Sequence, residues 1–467
     1  MWGHIYPPIP LRHQGVVLRN TTTNTRVPRA DNSHTILGKN INNIDWTAVV
    51  MYNNPIIPGF NPDPSIIRVK NDFFLVTSSF EYFPGAPIYH STDLIRWTLI
   101  GHALTRRSQI HIQTPEPGGG VWATTLRYHD GVYYIIAASF ERYRPQDDDR
   151  VWPRGFYVKT ENIWDSGSWS DPVFFDQVGF DQDVLYLSST YRKLNRTPNA
   201  NLKDFAIHIA TIDLASGTST SEPKLIREST SGVSEGSHIF KRGKYYYLFT
   251  AEGGTESGHC EWVSRSETGP FGPWEVGPNN PLWRNGINDE VQNTGHADLV
   301  EDAQGRWWAV LLGVRPVRKD GYWEESVFGN FAHSLLGLCC RTNSIATVTI
   351  GRETFLIPVE WKDDWPIFNR GKKISLQSDT PHLYEYQHPV AWRDDFSSPE
   401  LQLGWFGFKE VNGTSSETQW IGEVQNSTMT QSPPVGAPFT GMMLGLYAFG
   451  ERQRCLLPAD FGYAEFR

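Results

Sequence analysis

From Asn54 onward the chain alternates short apolar and aromatic runs with Gly, Asn and Asp. Phe73–Thr77, Val132–Ile136, Tyr245–Phe249 and Trp307–Leu311 are runs of four to five strand-favouring residues bounded by turn formers, and each predicts a strand. No long stretch carries a helical period, which disfavours α/β barrels. Residues 1–50 are polar and rich in Thr, Asn and Arg without period, and read as a poorly ordered N-terminal arm.

The runs repeat. Asp63 opens a segment with a polar start, a strand, a turn at Asn71 and an aromatic strand; Glu235 opens a second copy with its turn at Gly243. Further copies begin near Ala123 and His296, and a shortened one near Asp181. The five anchors Asp63, Ala123, Asp181, Glu235 and His296 are spaced by 60, 58, 54 and 61 residues. A repeat of this length built only of strands predicts an all-β, five-bladed β-propeller. Each blade starts at the central channel, so the anchors are expected to converge at one end of it. Three carboxyls and one imidazole would then share a pocket although they lie far apart in the sequence.

Composition sharpens this. The 467 residues include 18 Trp, 19 Tyr and 25 Phe, which excludes global disorder. The net charge of −9 argues against a nucleic-acid partner, whose binders need a basic face. No 18-residue apolar run predicts a membrane span. Four Cys (260, 339, 340 and 455) lack metal-ligand spacing and predict no disulfide scaffold. Met1–Pro8 does not read as a secretory leader, so the chain as written reads as intracellular, or as secreted from a start further upstream. Aromatic-rich surfaces without a basic excess suit sugar rings, whose C–H faces stack on them.

Carboxyls facing each other in such a pocket suit glycoside hydrolysis: one acid protonates the leaving oxygen and one base activates water. Glu235, followed by Gly236 to give room, fits the acid. Asp63, held between Pro62 and Pro64, fits a rigidly placed base. Taken singly, an Asp in Asn61–Pro64 is an ordinary turn residue; the shared register of the repeat is what points to chemistry.

These residues also carry a resemblance. Asn54–Ile66, Ser78–Gly85, Gly119–Ala123, Gly179–Asp181, Ser234–Gly236, Ala251–Thr255, Thr294–Ala297 and Gly351–Trp361 together resemble glycoside hydrolase family 43, in its β-xylosidase and α-L-arabinofuranosidase branch. The resemblance implies a catalytic propeller over 51–370 with an inverting mechanism. It implies Asp63 as general base, Glu235 as general acid, and Asp181 as the carboxylate that orients the acid and raises its pKa. It further implies Arg315 as the arginine on the sugar hydroxyls, Phe80 and Trp122 as walls of the sugar subsite, and His296 as the central-channel histidine. That histidine often stands beside a structural calcium ion or a water; no cofactor is implied for the chemistry itself. Ala391–Glu400 resembles the start of the family's C-terminal concanavalin-like β-sandwich, giving a truncated module over 392–467. Such a module would expose unpaired edges and apolar faces.

Two departures stand out. About eight residues are missing from the third repeat after Asp183, which threatens the placement of Asp181. Lys319–Thr347 matches nothing expected and reads as an insertion. The function expected is an exo-acting, inverting hydrolase that releases terminal xylose or arabinose from short plant-polysaccharide oligosaccharides. The alternative is a catalytically impaired propeller that only binds carbohydrate. The partners expected are an oligosaccharide and, optionally, a second copy of the chain.

Overall fold

A computed structural model of the chain describes residues 50–110, 112, 119–140, 153–184, 186–192, 204–255, 258–286, 288–315 and 351–380, with strand pieces at 318–319, 322–323, 392–394, 407–408 and 464–466. The arm over 1–49, the insertion over 324–347 and most of 392–467 lie outside the described residues.

The described chain is strand after strand, with short 3₁₀ turns at Ser166–Ser168 and Asn369–Gly371. Twenty strands form five antiparallel four-stranded sheets, the blades of a propeller. Blade I is Ser65–Val69, Asp72–Val76, Gly85–Ser91 and Thr98–Leu104; blade II is Gly120–His129, Val132–Phe140, Arg154–Thr160 and Val173–Val178. Blade III is Phe180–Val184, Leu187–Arg192, Phe205–Ala210 and Lys224–Glu228; blade IV is Ser234–Arg242, Tyr245–Glu252, Cys260–Ser266 and Glu275–Val276. Blade V is Gln292–Glu301, Trp307–Val314, Glu353–Lys362 and Trp365–Phe368. The first strand of each blade touches the first strand of its two neighbours, so the five inner strands ring the channel.

The aromatic runs are the second strands, and their continuous apolarity has a physical cause. Successive side chains of a strand point to opposite faces, and a propeller blade is buried on both. Phe73 and Leu75 pack toward blade V with Trp308 and Val310, whereas Phe74 and Val76 pack toward blade II with Ile135 and Phe156. Tyr247 and Phe249 face blade V while Leu248 faces blade III. A fourth cluster, with Ile136, Tyr157 and Leu187, joins blades II and III. Each blade-to-blade junction therefore has its own apolar cluster. The tight turn between the first two strands of blade II is made by Asp130 and Gly131, both at positive φ (48° and 86°), as a two-residue hairpin loop requires.

The ring closes between blades I and V without sharing a strand. Instead the segment before blade I clips onto blade V. Val50–Asn53 pairs antiparallel with Gln377–Thr380. The Asn54 side chain donates to Leu356 O and accepts from Leu356 N, both at 2.9 Å, imitating a strand partner. Tyr52 OH donates to the same Leu356 carbonyl at 2.7 Å.

Two further pairings involve the C-terminal part. Gly407–Phe408 pairs with Tyr82–Phe83, and Trp392–Asp394 pairs with Ala464–Phe466 within a second unit of the chain. Cys260 is buried and free, and the other three Cys lie outside the described residues. Among the described residues no helix is long and apolar enough to cross a membrane.

Candidate active site

Four of the five blades place a left-handed residue two positions before a polar channel side chain: Asp63 (φ 52°), Asp181 (52°), Gly236 (59°) and His296 (55°). The inner strands of blades II to V each shift register near this level, between Trp122 and Thr125, Phe180 and Asp183, Glu235 and His238, and Gly295 and Asp298. Bulges of this kind end regular pairing and re-aim side chains. Here they aim them into the channel.

One detail corrects the repeat as read from the sequence. Glu235 was placed in register with Asp63, but the backbone puts Gly236 there, and Glu235 stands one residue earlier, opposite Ala251. The same one-residue bulge occurs in blades II, III and V, so Glu235 occupies the place that Phe180 has in blade III. Gly236 is also sterically required: a Cβ on it would lie 2.9 Å from His296 Cδ2.

The predicted residues meet. Asp181 Oδ2 accepts from Gly236 N at 2.8 Å, which fixes it beside Glu235. The short third blade therefore still delivers Asp181. Burial pushes the Asp181 carboxyl up to about 7; the negative charges of Glu235 and Asp63 add to this, and His296 opposes it. Asp63 is 4% exposed. Burial works to raise its pKa, but the Arg352 charge and the His296 hydrogen bond overcome burial and hold it well below the usual carboxylate range. Arg352 Nη1 donates to Asp63 Oδ1 at 3.0 Å, and His296 Nδ1 stands 3.5 Å from the same oxygen.

Phe80 and Trp122 are brought together as an aromatic wall. Their rings stack with centroids 6.1 Å apart and planes 24° from parallel. Phe80 is held at positive φ by a two-way backbone bridge to Val121, and the Arg352 guanidinium lies 5.0 Å from its ring centroid. Phe60 edges onto Phe80, and Phe180 edges onto Trp122.

Arg315 is held by a buried carboxylate. Its guanidinium makes a two-point pair with the fully buried Glu353, at 2.5 and 2.8 Å. The arginine paired with Asp63 is the neighbour of that glutamate, Arg352. Sequence reading missed it although Gly351–Glu353 lies inside one of the motifs; the signal was the Arg-Glu pair opening a strand that reaches the channel.

The channel below this layer does not fit a metal ion. Its carboxylates, Asp183 and Asp298, are bridged by the guanidinium of Arg127. Among the described residues no group of three or more His, Cys, Asp or Glu side chains is arranged to hold a metal.

The model of glycosyl hydrolases family 43 matches residues 52–366. The chain belongs to that family. A second model, the β-xylosidase C-terminal concanavalin A-like domain, matches 407–467. The chain is 39% identical over 363 residues to the non-reducing end α-L-arabinofuranosidase BoGH43B of Bacteroides ovatus, covering 76% of this chain and 60% of that one. It is 35% identical to a xylan 1,3-β-xylosidase of a Vibrio species, over 75% of this chain and 63% of the relative. It thus spans about three fifths of the length of these curated relatives. Among solved structures, the GH43 protein BlXynB from Bacillus licheniformis superposes with a TM-score of 0.61 at 31% identity, over 78% of this chain and 65% of that one.

Proposed function

We propose that the chain hydrolyses the terminal glycosidic bond of short xylose- or arabinose-containing oligosaccharides with inversion at the anomeric carbon. The observation that carries this is the electrostatic contrast at the channel end: one carboxyl kept ionised, Asp63, and one, Asp181, held protonated up to about pH 7 by burial, with the Glu235 charge beside it adding to the effect. Opposite protonation preferences in one pocket are the assignment rule for acid and base. In this reading a sugar ring lies along Phe80 and Trp122. Glu235 delivers the proton to the departing oxygen. Asp63 accepts a proton from the attacking water, and Asp181 holds Glu235 in place through the Gly236 amide. The names of the relatives support the substrate class.

The test is hydrolysis of aryl β-xyloside and aryl α-arabinofuranoside by the purified chain, with Glu235→Ala as control and the first-formed anomer followed by proton NMR. Release of the inverted anomer is expected. Carboxyls of Asp63 and Glu235 about 6.5–9.5 Å apart go with that outcome. Retention, or no turnover of either glycoside, refutes it.

A further inference from the structure

The five inner strands each contribute one polar side chain to the channel: Ser65, Arg127, Asp183, His238 and Asp298. Arg127, from blade II, joins all of the others. Its Nε and Nη2 donate to the two oxygens of Asp183 at 2.9 and 2.6 Å. Nη1 donates to Asp298 Oδ2 at 3.0 Å and to Ser65 Oγ at 3.4 Å, and Nη2 lies 3.0 Å from His238 Nδ1. The remaining acceptor positions are occupied as well. Ser65 Oγ and Ile66 N donate to Asp298 Oδ2, Leu299 N to Asp298 Oδ1, and Ile239 N to Asp183 Oδ2. Both carboxylates are buried, at 1% and 4% side-chain exposure. Burying two carboxylates together is unfavourable unless a cation and further hydrogen bonds compensate. The guanidinium is that cation, and its planar fork reaches two blades at once where a point charge would reach fewer groups with fixed direction.

The placement adds a second consequence. Ser65, Asp183, His238 and Asp298 each stand two residues after a left-handed residue, namely Asp63, Asp181, Gly236 and His296. In blade II the residue two positions before Arg127 is Thr125, which is not left-handed, and this blade supplies the arginine that grips the other four directly beneath them.

We propose that Arg127 is the resident cation of this channel, taking the place of a divalent ion, and that through it Arg127 is a positioning residue for Asp63, Asp181, Glu235 and His296. The second half rests on the reaction proposed above; the first half does not. A metal ion entering here would have to displace a guanidinium that satisfies both carboxylates.

The experiment uses the full chain. Thermal melts of the wild type in EDTA and in millimolar calcium chloride are expected to coincide. A melting point that falls in EDTA or rises with calcium overturns the resident-cation claim. Arg127→Ala is expected to lower the melting point by about 5 °C or more. Arg127→Lys keeps the charge and loses the fork; if the alanine variant does not fold, the lysine variant carries the test. Either variant melting with the wild type overturns the proposal. For positioning, kcat of Arg127→Lys is read well below its melting point. A loss of about tenfold or more with little change in KM is expected, because small misplacement of catalytic groups slows chemistry more than binding. An unchanged kcat refutes positioning. If the wild type turns over neither aryl glycoside, the proposed reaction and the positioning role fall together, and the melts still decide the channel cation.

Discussion

Arg352 Nη1 and Asp63 Oδ1 are 3.0 Å apart although 289 positions of sequence separate them. Both side chains are 5% exposed, so each is the other's main compensation for leaving water. The contact joins the start of blade I to the third strand of blade V, and it keeps the candidate base charged.

Arg352→Met should therefore act twice. It should destabilise the fold by about 3–5 kcal/mol, the usual result of leaving one buried partner uncompensated. It should also let burial dominate at Asp63 and raise its pKa. The wild type holds this pair's contribution above the ordinary carboxylate range and loses it as pH falls. In the variant the acidic limb of the kcat/KM profile should move to higher pH. A limb that stays in place in a folded variant would contradict Asp63 as the base.

Asp181 has the opposite sign. Its carboxyl is raised from an ordinary value near 3.8 to about 7, so the folded protein takes up a proton between those values. The stability from this group is full below about pH 4 and is lost as pH rises through 7. Activity that needs the retained proton should decline over the same upper range. Asp181→Asn keeps an oxygen for the Gly236 amide and removes the titration. Its melting point should fall less than the wild type's between pH 5 and pH 8, and its alkaline activity limb should shift. Parallel melting curves across that range would count against the assignment.

Leaving-group dependence separates the two proton-transfer roles proposed for Asp63 and Glu235. Asp63→Ala should abolish turnover of all substrates. Glu235→Ala should lose about 10²–10⁴-fold on substrates whose leaving group needs protonation, and much less on good leaving groups. Rates of a series of aryl glycosides give the comparison; equal losses across the series would remove Glu235 from the acid role.

Gly236→Ala tests the bulge. The new methyl meets the His296 ring at 2.9 Å on a backbone at φ 59°, where a side chain is strained. A stability loss of about 1–3 kcal/mol is expected, with a fall in turnover because His296 and the Asp181–Gly236 bond must shift together. Chemical denaturation and steady-state kinetics on the one variant report both.

The propeller was legible because burial on both faces turns its second strands into unbroken aromatic runs such as Tyr245–Phe249, and because the polar strand starts recur. Asp63, Asp181 and His296 were legible as anchors for the same reason. Two things were not. The residue that opens the bulge is Phe180 in blade III and Glu235 in blade IV, and the left-handed residue after it is Asp181 and Gly236, so a pattern that seeks an acidic strand start aligns Glu235 one position off. Arginine contacts depend on the reach of a long side chain across blades, which has no period; hence neither Arg352 nor Arg127 stands out in the sequence.

The clip that closes the ring also sets a clock. Asn54 finds its partner Leu356 only 302 positions later. During synthesis the strand Val50–Asn53 must wait for its partner Gln377–Thr380 until all five blades have been made. Pairings this distant in sequence slow folding and leave strand edges open meanwhile. Blades I to IV can assemble in order as they emerge, but the last event, locking Asn54 onto blade V, decides when the channel end becomes a finished pocket.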